Sequence, residues 1–140
     1  MFVRDGTAWS QQVKLTAGDA DALDYFGVSV SLSGDSALIG AYADDDGGDS
    51  SGSAYVFARS GTNWTQQAKL TAADAAADDF FGHSVSLSGD SALVGAEHDD
   101  GRTGSAYVFV RRGTAWTQQA KLIASDADWS DYFGASVSLS

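Results

Sequence analysis

The sequence has no cysteine, so disulfides, thiolate metal sites and a cysteine nucleophile are excluded. It has no proline, and only one of its 19 acidic residues, Glu97, is a glutamate. The other 18 are aspartates, whose short carboxylates bond nearby backbone N–H groups and favour turns and loops over helical faces. The acidity therefore belongs to loops. Lys and Arg together number eight, which leaves a net charge of −11. Such a chain repels phosphate backbones, so no nucleic acid partner is expected, and cations or surfaces carrying them fit better. No apolar run approaches the length of a membrane span, and no membrane insertion is expected. Met1-Phe2-Val3-Arg4-Asp5-Gly6 lacks the basic start and apolar stretch of a signal peptide. No segment keeps a helical period of apolar residues.

What the sequence has is repetition. Phe26, Phe81 and Phe133 are separated by 55 and 52 residues, and Trp9, Trp64 and Trp116 show the same two separations. The stretch from Phe81 to Ala96 recurs from Phe26 to Ala41 and, cut short, from Phe133 to Ser140. The three-residue difference falls between Ala41 and Tyr55, where a change of length marks a surface loop. Periods near fifty residues point to propellers or solenoids.

Within one repeat four strands are expected. Ser84–Ser88 alternates Val85 and Leu87 with small serines, a period of two. Ser88-Gly89-Asp90-Ser91 reads as a tight hairpin leading to a second strand, Ala92–Ala96. A loop, Glu97–Gly104, precedes a third strand, Ser105–Arg111, rich in aromatic and β-branched residues. The fourth strand is Trp116–Ile123, and the polar segment Ala124–Tyr132 leads to the next Phe-Gly. Four hairpin-connected antiparallel strands describe a propeller blade, with a β-sandwich as the structural alternative.

Phe-Gly at 26–27, 81–82 and 133–134, followed by Gly-Ala at 40–41 and 95–96, resembles the FG-GAP repeat. That repeat builds the propeller of integrin α subunits and of many bacterial extracellular proteins. Phe-Gly-x-Ser-Val-Ser-Leu-Ser-Gly-Asp-Ser-Ala-Leu-x-Gly-Ala is most similar to the bacterial branch, as is Ser-Ala-Tyr-Val-Phe followed by Trp-Thr-Gln-Gln-Ala-Lys-Leu. The resemblance implies an all-β fold, a partial β-propeller of four-stranded antiparallel blades. It implies a non-catalytic binding or adhesion module, extracellular or at the cell surface, that presents loops to a protein or glycan ligand. A structural spacer, or an accessory propeller of a secreted enzyme whose catalytic domain lies elsewhere, are the alternatives. The family's proline is absent, since Tyr42 and Glu97 follow Gly-Ala. The calcium loop that integrin-type repeats often carry between the first two strands is absent too. Gly34-Asp35 and Gly89-Asp90 are too short to wrap an ion that takes six to eight oxygens.

The repeats divide residues 1–140 into a partial blade at 1–16 (strands three and four), full blades at 26–71 and 81–123, and the first strand of a further blade at 133–140. Propellers close with roughly four to eight blades. The remainder of a longer propeller chain is therefore expected, with assembly of a homo-oligomer as the alternative.

Candidate chemistry lies in the loops. Asp44, Asp46 and Asp49, in Asp44-Asp45-Asp46-Gly47-Gly48-Asp49, are the candidate Ca²⁺ ligands, because carboxylates around glycines can bend about a hard cation. A solvated acidic loop is the plain alternative. Asp24, Asp79 and Asp131 each lie two residues before Phe, a recurrence that predicts carboxylates capping backbone N–H groups, with Ca²⁺ at the blade junction as the alternative. Trp129 does not recur, and as a loop aromatic it is the candidate for stacking on a sugar or a partner side chain. His83 and His98 have no recurring partners in metal-site or acid–base spacing, and no Gly-x-Ser-x-Gly is present. No catalytic residue is assigned.

Overall fold

The computed structural model describes residues 1–140. Strands β1 (Phe2–Asp5) and β2 (Ala8–Gln11) form a two-stranded hairpin. Strands β3 (Val30–Ser33), β4 (Ser36–Ala41), β5 (Ser53–Ser60) and β6 (Asn63–Leu70) form a four-stranded antiparallel sheet in sequence order. Strands β7 (Phe81–Ser88), β8 (Ser91–Ala96), β9 (Ser105–Arg112) and β10 (Ala115–Leu122) form a second sheet of the same order. The fold is all-β, and its two full sheets are the blades of a propeller.

Each first hairpin closes as the Gly-Asp turn predicts. Ser33 pairs with Ser36 and Ser88 with Ser91, leaving two residues between. Gly34 and Gly89 both have φ of 56°, the left-handed value that the first central residue of such a turn requires.

The blades stack face to face. Alternation along β4 and β5 sends Leu38, Ala54 and Val56 to one side, where they pack on Phe81, Val85, Leu87, Val94, Tyr107 and Phe109 of the second blade. The opposite face of the first blade carries Ala37, Ile39, Tyr55 and Phe57, covered by Ala17, Leu15, Phe26 and Trp64. The junction is close enough to exclude side chains. A Cβ on Gly82 would lie 2.2 Å from the carbonyl oxygen of Ser53, and φ there is 91°. The Phe-Gly motif thus inserts a bare backbone between two strands, with Phe81 bridging to Gly52.

Two expectations need correction. Ser136–Ser140, read as a first strand, joins no ladder. It lies against the second blade through a Gly104–Phe133 bridge and a hydrogen bond from Leu139 N–H to Ser86 Oγ at 2.9 Å. A ladder needs a strand-two partner, and none pairs with it here. Glu97–Gly104, read as a plain loop, contains one short helical turn, α1 (Asp99–Arg102). Asp100 and Gly101 break it with left-handed φ of 50° and 73°.

Candidate functional site

Hairpin connectivity puts every long loop at the same end of the blades. The segments 17–25, 42–52, 71–80, 97–104 and 124–132 enter or leave the strands at the end marked by Ala41, Ala96 and Leu70. The short Gly-containing turns mark the other end. The long-loop rim carries most of the aspartates.

Aromatic rings run along this rim in an unbroken row. Tyr25 stacks on Tyr42 with centroids 5.2 Å apart, and Tyr42 meets the edges of Phe80 at 5.2 Å and His83 at 5.7 Å. Phe80 stacks on His98 at 4.2 Å, and His98 reaches Tyr132 at 5.5 Å. The row exists because Tyr25, Phe80 and Tyr132 occupy one repeat position, immediately before each Phe-Gly. All three hold positive φ, between 53° and 59°. That conformation costs about 1–3 kcal/mol per non-glycine residue and is sustained by its surroundings. Leu23, Asp78 and Ser130 are left-handed too, and the residue between each such pair is the recurring aspartate. Asp24, Asp79 and Asp131 each accept the N–H of the residue three before, Asp21, Ala76 and Asp128, at 2.7–2.8 Å. The predicted capping role is what these contacts show. Burial pushes the Asp79 carboxyl above its ordinary range, with Asp99 adding repulsion.

Trp129 lies on this rim and is 70% exposed, held by its own N–H on Asp128 Oδ1 at 2.7 Å. Tyr25 is also exposed. A cavity of about 330 Å³ opens beside Phe80 and His98, lined further by Asp78, Asp79 and Arg102.

His83 Nε2 lies 3.4 Å from Glu97 Oε1, while its buried Nδ1 has no partner. No hydroxyl or thiol nucleophile joins the pair in a hydrogen-bonded chain, as nucleophilic catalysis requires. His98 titrates below its usual range because burial disfavours the imidazolium and Arg102 repels it.

The candidate metal ligands are placed differently from expectation. Asp44 and Asp46 converge not with Asp49 but with Asp19, on the ammonium of Lys69. The Nζ distances are 2.8 Å to Asp19, 2.9 Å to Asp44 and 2.5 Å to Asp46. Asp49 stands apart and exposed, with Oδ1 3.5 Å from Ser50 Oγ. Buried Asp44 also accepts from Tyr55 Oη at 2.6 Å and Ser53 Oγ at 3.1 Å. Burial alone would raise its pKa, but bonds from Tyr55 and Lys69 outweigh it and hold the carboxyl below its ordinary range. Burial disfavours the Lys69 charge as well, yet its three carboxylates lift its pKa above the usual lysine value.

The second blade repeats the cluster. Lys121 Nζ lies 2.8 Å from Asp74, 2.6 Å from Asp99 and 3.1 Å from Asp100, and Tyr107 Oη donates to Asp99 at 2.9 Å. Asp19, Asp44 and Asp46 bring oxygens within 4.8 Å of one another, as a cation site would. In this structure the ammonium of Lys69 takes the place between them, bonding all three carboxylates. The missed signal was in the sequence. Lys69 and Lys121 recur at one position, as do Tyr55 and Tyr107, Asp44 and Asp99, and Asp19 and Asp74.

In comparison with known protein families, the model described as FG-GAP repeat matches residues 9–57, 64–109 and 116–140. No curated protein matches the chain.

Proposed function

This chain belongs to the FG-GAP repeat family, and we propose that it is a non-catalytic binding module whose long-loop rim receives a protein or glycan ligand. One observation carries the reading. All long loops gather on one rim, and that rim exposes Tyr25 at one end of an aromatic row and, outside the row, Trp129. Exposed aromatic faces stack on sugar rings and side chains, and neighbouring carboxylates accept hydroxyl hydrogen bonds. Asp126, Asp128 and Asp131 flank Trp129 and favour a glycan. The strongest charges of the rim are spent on each other at Lys69 and Lys121, which supports binding over chemistry. No helix is long and apolar enough to cross a membrane. Placement outside the cell, as is typical of the family, is part of the proposal. Screening the chain on a glycan array tests it, with Trp129→Ala as the comparison. A bound glycan that Trp129→Ala loses supports the reading. Binding that Trp129→Ala leaves intact contradicts the role of this rim.

A second reading is favoured by the lysine clusters. Two self-satisfied ion networks at equivalent positions are what a rigid spacer propeller would use, displaying other domains without a ligand of its own.

A further inference from the structure

The long-loop rim has a cavity in the second blade that differs from its counterpart in the first. In the first blade the space beside Asp24 is about 150 Å³ and is lined by aspartates alone. In the second, the equivalent Asp79 opens on the cavity of about 330 Å³, which Phe80, His98 and Arg102 also line. The connecting loop is three residues shorter here. His98 stands where the first blade has Ala43, and the first blade's loop has no arginine. The volume is of the size that takes a small molecule.

The polar groups of this cavity are held in place and left unspent. Arg102 is the only lysine or arginine in the long loops, and it is exposed. Arg59, Arg111, Lys69 and Lys121 each hold a carboxylate, whereas the Arg102 guanidinium holds none. Asp79 is 6% exposed and commits only Oδ2, to the Ala76 N–H at 2.7 Å. Exposed Asp78 commits neither carboxylate oxygen, and His98 neither ring nitrogen. Backbone hydrogen bonds fix the walls. Asp78 N–H donates to the Asp49 carbonyl at 2.7 Å, and Phe80 N–H to the Ser50 carbonyl at 3.2 Å. His98 N–H donates to the Asp79 carbonyl at 3.3 Å, and Arg102 N–H to the His98 carbonyl at 2.8 Å. The cavity is thus preorganised before a ligand arrives, which lowers the cost of binding.

We propose that this cavity seats one neutral hexopyranose unit of a glycan. The inference rests on the reading of the rim as a glycan surface and gives that surface a defined subsite. Asp78 and Asp79 accept hydrogen bonds from neighbouring hydroxyls, and the Arg102 guanidinium donates to hydroxyl and ring oxygens. Phe80 and His98, stacked at 4.2 Å, offer an aromatic wall to the apolar side of the sugar ring. Charge selects the class. A carboxylated or sulfated sugar would meet two aspartates, and a cationic one would meet Arg102, whereas neutral hydroxyls use groups of both signs. Tyr132 N–H donates to the Arg102 carbonyl at 3.2 Å, so the loop that carries Trp129 adjoins the cavity.

The probes are the methyl glycosides of glucose, galactose, mannose and N-acetylglucosamine, titrated into the isotopically labelled chain and followed by NMR. At least one should saturate with a Kd of about 1 mM, shifting the amides of Asp78–Phe80 and His98–Arg102. Arg102→Ala and Asp78→Asn, both at exposed residues, should each weaken it at least about fivefold, with the fold checked by circular dichroism. Arg112→Ala, at an exposed arginine outside the rim, should leave it unchanged. No saturation by any glycoside at about 20 mM, shifts centred elsewhere, or indifference to both variants would each overturn the proposal. Saturation by the zwitterion L-phenylalanine alone would overturn it too. A glycan that the array detects and Trp129→Ala loses, with no glycoside in the cavity, would overturn this subsite and leave the rim reading standing. Glycoside binding in the cavity with array binding indifferent to Trp129→Ala would support the subsite and remove the role of Trp129.

Discussion

Lys69 Nζ lies 2.9 Å from Asp44 Oδ2, at the centre of a cluster of three carboxylates, and the pair recurs as Lys121 and Asp99 at 2.6 Å. Both aspartates are buried, and both are also hydrogen-bonded by a buried tyrosine. An acidic loop that by composition suits a cation is thus tied to strand four of its own blade by a lysine.

Removing that lysine leaves a buried charge without its partner. Lys69→Met should cost about 3 kcal/mol by denaturant titration, and Lys121→Met a similar amount. Lys14 holds the equivalent position in the first hairpin and is exposed without an ion-pair partner. Lys14→Met should change stability by less than about 0.5 kcal/mol.

Calcium should not stabilise the wild-type chain. A bound ion stabilises the folded state by RT ln(1 + [Ca²⁺]/Kd) and so raises the melting temperature, and the ammonium of Lys69 holds the oxygens that an ion would need. Scans in excess Ca²⁺ and in EDTA should coincide. A rise in Ca²⁺ that Asp44→Asn removes would show that the ion displaces the lysine.

One motif residue should have two energies. Leu87→Ala deletes a side chain from the blade junction and should cost about 3 kcal/mol. Leu32→Ala, at the same motif position on an exposed face, should cost less than about 1 kcal/mol. Equal costs would show that the two faces are equally covered in solution.

Stability should fall as pH drops through the histidine range. His98 has a folded-state pKa below its ordinary 6.5, chiefly from burial, with Arg102 adding repulsion. The neutral ring stacked on Phe80 is therefore favoured by folding. This contribution is complete above pH 6.5 and is lost as pH falls through the lowered folded value. His98→Gln should flatten the decline measured between about pH 7.5 and 5. The lowered carboxyls of Asp19, Asp44 and Asp74 add a separate contribution to stability, present in full above their ordinary 3.8 and lost as pH falls through their lowered folded values.

The fold was legible because its determinants are local and repeated. Val85 and Leu87 alternate with serines, and Gly89-Asp90 sets a two-residue hairpin, so strand, turn and register follow from neighbours in sequence. The capping role of Asp79 was legible for the same reason, since donor and acceptor lie three residues apart. The lysine cluster was not. Asp19 meets Lys69 across 50 residues, a distance that composition does not encode. Only the shared recurrence of lysine, tyrosine and aspartate pointed to it. The tail from Ser136 to Ser140 misled because its alternation states a preference for a strand, while a ladder depends on a partner.

The binding role of the rim is tested most directly by two tryptophans of similar exposure at opposite ends of the blades. Trp129 sits on the long-loop rim, and Trp9 sits on β2 beside the short Gly6 turn. The account predicts that Trp129→Ala abolishes glycan-array binding and that Trp9→Ala leaves it unchanged. Loss on Trp9→Ala with retention on Trp129→Ala, or equal loss in both, would contradict it.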